Sequence, residues 1–435
     1  MEPLIASFDD AVGYLNWAAF GPLSPTVRAE MHADAELLGT GRRSGIDLVD
    51  ERLGEATDRV ARMLDAAPDE IVLQPSTTHG LAHAMFGLEG TVVVPRQDFP
   101  ALRVTAYRAA AARGVLSVRE IDPTDGIVTV DSVVEALTDD VTAVAVSLVD
   151  FRTGALVDLA GLRDAIGDRL LILDVVQAFG VVDVDWSAAD VVTGNGYKWL
   201  RAGRGTGFAR FSRRAQERIA PVLSGISGMV GDATTLGVPA VRDGAAGYSI
   251  APADPLAASR LAASLREFDD VGIEVVAAEV RSRAQDVMTL ADRYGVPVLT
   301  PRDAHAGIVT LDPEPNERPA LTAALANHGV TVTARGTTIR ISPHVGTGAD
   351  SLLLLGDALA DAAAMRVVTV DFARDELSTD ALVPEIITVD TGDIPASVDA
   401  ASPAGSASTD ADDFDDDDIV LAVIDEPADD DARQN

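Results

Sequence analysis

The chain contains no cysteine. Disulfides, zinc–thiolate centres and cysteine nucleophiles are therefore excluded. Lysine is nearly absent as well: Lys198 is the single lysine among 34 basic residues, and the others are all arginine. No apolar run reaches the length of a membrane span. The opening stretch MEPLIASFDD is acidic and has neither a basic flank nor an apolar core, so it does not read as a secretory signal. Positive charge is in deficit overall. A net charge of -35 argues against nucleic acid as a partner. The expectation is a cytoplasmic protein with no membrane or nucleic-acid partner.

What is present is the composition of a globular protein, 47% hydrophobic and 24% charged over 435 residues. That length accommodates two domains, or one large α/β domain with an appendage. The acid is unevenly spread. Twenty of the 69 acidic residues, but only two arginines, fall between Asp371 and the C-terminus. Residues 366–435 mix Ala, Ser, Pro and Asp, with an acidic run at 415–418, and cannot bury enough apolar surface to offset their ordering entropy. They are expected to be a disordered, solubilising tail. Two apolar islands interrupt it, at 386–389 and 419–424, and the second suits addition to a sheet edge, here or on a partner.

Between 68 and 211, short β-rich runs at 91–94, 143–146 and 170–173 alternate with Ala-rich helical stretches at 80–88, 101–113 and 158–167. Such alternation implies crossover connections and a mostly parallel sheet. Residues 256–293 read as two amphipathic helices. Strands at 306–311, 330–334 and 338–341, with helices at 317–328 and 349–363, make a smaller α+β unit. The expected division is an N-terminal segment (1–25), a large α/β domain (26–250), a small domain (251–365) and the tail.

Arginine can replace lysine wherever a surface charge suffices, but its guanidinium stays protonated. A Schiff base to an aldehyde needs a neutral amine, which a desolvated lysine can supply. Lys198 is thus either a leftover surface charge or the chain's one amine nucleophile. Upstream, the hydrophobic run Leu170–Leu173 ends in Asp174. In open parallel sheets, ligands bind beyond the carboxyl ends of the strands, and an aspartate there can pair with a protonated ring nitrogen. It can equally cap the next element. Further upstream, Ser76-Thr77-Thr78 precedes a helix. Free N–H groups and hydroxyls make that a phosphate seat or an ordinary N-cap.

Taken together, Asp174-x-x-Gln177, Gly196-Tyr197-Lys198-Trp199-Leu200 and the glycine-rich Gly203-Arg204-Gly205-Thr206-Gly207 closely resemble the fold-type-I pyridoxal-phosphate enzymes of the class V aminotransferase family. That family includes cysteine desulfurases, kynureninases and isopenicillin-N-epimerase-like proteins. The resemblance covers roughly residues 10–365. It implies that Lys198 holds pyridoxal 5'-phosphate covalently and then serves as acid and base. It implies that Asp174 pairs with the pyridine nitrogen and that Gln177 donates to the ring's phenolic oxygen. Thr77 and Thr78 would bind the phosphate, with Asn195 and Tyr197 also facing it. Phe99 falls where relatives stack a ring on the cofactor face; its competing reading is a core residue. Arg340 would clamp the substrate carboxylate through two parallel bonds, unless it is a strand-edge arginine in a surface ion pair. Asn16 lies in the segment that lines the substrate entrance in relatives. A homodimer, with sites at the subunit interface, is implied as well. Arg204 departs from the pattern, standing where the family usually has proline.

His79 and His83 lie four apart on one helix, but a third ligand is not evident, so no metal site is expected. The Gly203-x-Gly205-x-Gly207 spacing is not that of a dinucleotide fingerprint. The expected activity is that of a class V aminotransferase on a small L-amino acid. The alternative is a C–S lyase or β-eliminase, or a kynureninase- or epimerase-like enzyme. A desulfurase carrying persulfide on its own thiol is excluded by the missing cysteine. A non-catalytic binding protein that merely keeps the fold is the reading from another class.

Overall fold

The computed structural model describes residues 1–8, 12–123, 125–232, 234–375 and 419–420. Among them the strands form two sheets. The first has seven strands: β1 (Ile71–Gln74), β2 (Gly90–Pro95), β3 (Leu116–Ile121), β4 (Val141–Ser147), β5 (Leu170–Asp174), β6 (Val191–Asn195) and β7 (Gly207–Phe211). Their spatial order is β1-β7-β6-β5-β4-β2-β3. The pairs from β3 across to β6 are parallel. β7 runs antiparallel to both its neighbours, β6 and β1. Six strands therefore point one way and β7 opposes them, in agreement with the mostly parallel α/β sheet expected from the alternating pattern.

The sequence of β5, Leu-Leu-Ile-Leu-Asp, shows why this sheet is central. Successive side chains on a strand point to opposite faces. Leu171 and Leu173 join one apolar cluster, with the helices Leu159–Ile166 and Pro255–Asp269. Leu170 and Ile172 join another, with the helices Thr77–Gly87 and Pro100–Arg113. Both faces are covered, so the strand is apolar throughout. Each such leucine or isoleucine contributes about 1.5–3 kcal/mol by burial. The strand order reverses between β2 and β4, and the carboxyl ends there open the crevice in which sheets of this kind bind ligands.

Local signals set the helix ends. The Asp158 carboxylate accepts the Gly161 N–H at 3.0 Å and caps Leu159–Ile166. Gly114 closes Pro100–Arg113 in the left-handed region, at φ 67°.

The second sheet contains β8 (Val309–Leu311), β9 (Thr333–Arg335), β10 (Thr338–Ile341) and β11 (Ile419–Val420), in the order β11-β9-β10-β8. All its pairs are antiparallel. It packs with the helices Ile273–Arg293, Arg318–Asn327 and Ala349–Asp375 around a third apolar cluster. Leu15 of the N-terminal segment joins that cluster. On either side of it, Tyr14 pairs with Thr331 and Asn16 with Ser342.

Two expectations need correction. The helix over 80–88 begins earlier, so Thr77 and Thr78 lie inside its first turn and Ser76 is the N-cap. The final helix continues past Met365 to Asp375, where composition had placed the start of a disordered tail. Within that tail, Ile419–Val420 pairs with β9, as strand addition at a sheet edge would have it. The rest of the tail expectation, at 376–418 and 421–435 and including the 386–389 island, lies outside the described residues. No helix among the described residues is long and apolar enough to cross a membrane.

Candidate active site

Lys198 sits in the loop that leaves β6 and returns as β7, at the carboxyl end of the parallel strands. The loop is closed on itself. Gly196 N–H donates to the Thr206 carbonyl at 3.1 Å, and the Thr206 hydroxyl donates to the Gly203 carbonyl at 2.6 Å. Gly203 and Gly205 have φ of 78° and 88°, which strains any residue with a Cβ. The N-terminal segment clasps the loop from outside. Gly21 N–H donates to the Tyr197 carbonyl at 2.9 Å. A Cβ on Gly21 would stand 1.9 Å from the Lys198 carbonyl oxygen, so the close approach requires glycine. Behind the loop, the Trp199 indole donates to Gln177 Oε1 at 3.1 Å. His344 accepts the Val345 N–H on Nδ1 at 2.7 Å, which assigns its proton to Nε2 and the donation at 2.9 Å to the Trp199 carbonyl. Burial pushes His344 down to about 3, so the ring stays neutral.

The electrostatics at the lysine are unusual. Burial is the main cause that takes the Lys198 amine down to about 7, followed by the positive charge of Arg340, with Asp174 opposing. Burial likewise drives Asp174 up to about 7. The Val176 N–H, donating to Asp174 at 2.9 Å, and the charge of Lys198 only partly offset this, while nearby Asp98 adds to it. Arg335 and Arg204 also act on the amine as like charges. A neutral amine is thus accessible near neutral pH beside a carboxylate that has no arginine ion pair among the described residues.

At the other end of the crevice, Thr77 opens the helix Thr77–Gly87, and its hydroxyl accepts Asn195 Nδ2–H at 2.9 Å. Thr78 is exposed on the same first turn. Gly207 lets β7 start against this turn, since a Cβ there would fall 2.7 Å from Ser76 N and Cα. Asn195 Oδ1 is buried with no hydrogen-bond partner among the described residues.

Phe99 is 41% exposed, which removes the core reading. It meets Phe151 edge-on, with centroids 5.3 Å apart. Arg340 is buried, and its guanidinium donates to the Phe151 carbonyl at 2.9 Å; it is therefore not a surface strand-edge arginine. The Arg335 guanidinium lies 5.2 Å from the Phe151 ring centroid. Tyr197 is half-buried, with the Lys198 Nζ 5.5 Å and the Arg204 guanidinium 4.8 Å from its ring centroid. Gln177 gives one Nε2 proton to the Ala18 carbonyl at 3.0 Å, and an amide nitrogen has a second. Asn16 is drawn away from the others: its Oδ1 accepts the Thr333 hydroxyl at 2.7 Å, tying the N-terminal segment to β9. His79 bonds Ser76, whereas His83 is buried edge-on to Tyr248.

Sequence reasoning passed over Asp98, Ser147, Phe151 and His344. Only Asp98 carried a local signal, a carboxylate directly before the expected stacking ring.

The Aminotransferase class-V family model matches residues 26–342. The kynureninase of Deinococcus radiodurans is 28% identical over 57% of this chain and 62% of its own length. The cysteine desulfurase IscS of Pseudomonas fluorescens is 26% identical over 49% of this chain and 56% of its own. The chain thus spans less than two thirds of the length of these curated relatives. Among solved structures, a C-DES mutant with glycine covalently linked to its pyridoxal-phosphate cofactor superposes with a TM-score of 0.75. The overlap covers 82% of this chain and 98% of that one at 18% identity, a likeness of fold.

Enzymes of this family depend on pyridoxal 5'-phosphate, and the residues present fit that group. An amine, a buried carboxylate and the first turn of a helix gather at the carboxyl ends of the parallel strands, in the chemistry its aldehyde, ring nitrogen and phosphate require. The partnerless Asn195 Oδ1 fits as well. Flipped, Asn195 accepts the Thr77 hydroxyl proton on Oδ1 and frees both Nδ2 protons for an anion.

Proposed function

The chain belongs to the class V aminotransferase family, and from that premise we propose that it is an aminotransferase acting on a small L-amino acid. Lys198 would bind pyridoxal 5'-phosphate and move the substrate's Cα proton. When bound, the cofactor supplies the electron sink that makes this proton acidic. The observation that carries the reading is the chain's one lysine amine, buried and brought down to about 7 beside Asp174. A base poised near the working pH is what proton abstraction calls for. In this reading Asp174 holds the ring nitrogen and the second Nε2 proton of Gln177 reaches the phenolic oxygen. Thr77, Thr78, Asn195 and Tyr197 hold the phosphate, and Phe99 lies against the ring. Arg340, oriented by the Phe151 carbonyl, takes the substrate carboxylate, and Asn16 shapes the entrance through its bond to Thr333. Transfer needs one group to remove a proton and return it nearby, and a lysine on a flexible stem suits that.

A second reading, cleavage at Cβ by a C–S lyase or a kynureninase-like enzyme, is favoured by the similarity to a kynureninase and a cysteine desulfurase. The absence of cysteine leaves such an enzyme no persulfide step of its own. A homodimer completes the proposal. It is supported by the arm around the Met229–Val241 bridge, where Leu236 and Val238 are 95% and 101% exposed, an apolar surface suited to a second copy.

The test is reduction of the holoprotein with borohydride, followed by peptide mapping. A pyridoxyl adduct on the peptide bearing Lys198 is expected, and its absence overturns the reading. Adding L-amino acids singly then separates the two outcomes. Formation of pyridoxamine phosphate, reversed by a 2-oxo acid, supports transfer. Release of ammonia with pyruvate, or of sulfide, supports elimination, and release of alanine with a carboxylic acid supports kynureninase-like hydrolysis.

A further inference from the structure

Asp98 follows β2 and precedes the helix Pro100–Arg113, whose N-cap is Phe99. Its carboxylate accepts three hydrogen bonds. The Phe99 N–H donates to Oδ1 at 2.6 Å, the Ser147 hydroxyl to Oδ1 at 2.5 Å and the Ser147 N–H to Oδ2 at 2.8 Å. Ser147 ends β4, and its register partner on β5 is Asp174. Neighbouring strands lie roughly 4.8 Å apart. Asp98 is therefore fastened one strand away from Asp174, on the side where the strand order reverses. Neither carboxylate has an ion pair to an arginine among the described residues. Burial raises Asp98 above the usual carboxylate range, Ser147 lowers it, and Asp150 acts on it as a like charge. Asp150 is itself paired with Arg152. Asp174 is faced by Asp98 and Lys198, and Tyr197 feels it from the loop. Lys198 in turn is faced by Arg340, Arg335 and Arg204.

A carboxylate whose only strong partners are hydroxyl and amide donors keeps most of its negative field. Here the field reaches the one aspartate that stands beside the buried amine, and the same group holds the backbone of Phe99. We propose that Asp98 is a positioning residue for the cofactor: it fixes Phe99 at the crevice and backs Asp174 with a second negative charge, so that a protonated ring nitrogen is held more tightly. This rests on the reading of Lys198 and Asp174 given above. Removing the Asp98 charge lowers the proton affinity of Asp174 and weakens the negative field around it, so the protonated form of what it binds is lost at lower pH.

The experiment follows the visible absorbance of the lysine-bound cofactor against pH in the holoprotein, with cofactor affinity measured by quenching of tryptophan fluorescence. Asp98→Asn removes the charge and keeps the shape. Its spectral transition is expected about one pH unit below that of the wild type, with affinity weakened about tenfold. Asp98→Ser, whose uncharged hydroxyl can still accept the Phe99 N–H, must move the transition the same way and serves if the Asn variant does not fold. Ser147→Ala keeps the charge, loses one bond and leaves the transition in place. The proposal is overturned if the neutral variants bind cofactor and titrate like the wild type. A wild-type protein with no lysine-bound chromophore would instead sink the proposed function, a result readily told apart.

Discussion

Asp174 and Asp190 are both buried, at 4% and 5% exposure, at opposite ends of one pair of parallel strands. Asp190 precedes β6. It accepts the Leu171 N–H at 2.8 Å, Arg163 at 3.1 Å and Arg214 at 2.7 and 2.6 Å. Its charge is cancelled by two guanidiniums from separate elements. Asp174 ends β5 with a single backbone donor among the described residues, at 2.9 Å, and its charged neighbours there are a second aspartate and a lysine short of full charge. The same strands thus carry a neutralised carboxylate where they begin and an under-compensated one where they end. A buried charge left in that condition is expensive, and it persists where chemistry uses it.

The largest effect expected along this contrast is at the lysine. Lys198→Arg preserves a cation and removes the amine; activity should fall by about a thousandfold or more, with no covalent chromophore in the absorbance spectrum. Retention of more than a tenth of the activity would break the contrast. Next, Asp190→Ala leaves two guanidiniums without their carboxylate and should destabilise the fold by about 3–5 kcal/mol in urea titrations. Asp174→Asn should do the opposite to the apoprotein. Folded Asp174 keeps its proton up to about pH 7, against 3.8 as the ordinary value. Wild-type stability therefore declines as pH rises from about 4 to 7, and the Asn variant is spared that decline. Its advantage at pH 8 should be about 1–4 kcal/mol, while cofactor affinity falls. The smallest effect is on a rate. Reconstitution of the apoprotein with pyridoxal phosphate should quicken about tenfold between pH 6 and 8 and then level off, since the neutral fraction of an amine at about 7 saturates there. Continued tenfold gains per unit above pH 8 would mark an ordinary lysine.

Much of this contrast was legible in the sequence, for reasons that can be located. β4, β5 and β6 are short apolar runs between helical stretches, and a strand buried on both faces leaves that signature. Lys198 stood out because the chain uses arginine everywhere else. Asp174 followed from its place at a strand's end. The missing parts are long-range. Nothing near Asp98 announces a bond to Ser147, 49 residues on, and nothing near Asp190 announces Arg163 or Arg214. Asn16 lies at the N-terminal segment, yet its partner Thr333 is 317 residues away. The last helix outran its expected end because composition was read across a boundary that the backbone does not observe. Pattern reports what a residue is beside in the chain, whereas these groups act through what folding brings beside them.

The fit of Gly21 against the lysine loop sets an order of events. Residues 13–21 emerge from the ribosome before their bridging partners, Thr331 and Ser342, which come more than three hundred positions later. Until those late residues arrive, the early strap has nowhere to lie, and the loop it clasps lacks its outer wall. The parallel sheet can assemble beforehand, but the pocket cannot be complete. Capture of the vitamin B6 group should therefore be among the last steps of maturation, and chains stalled short of Ser342 should remain colourless however well their central layers have formed.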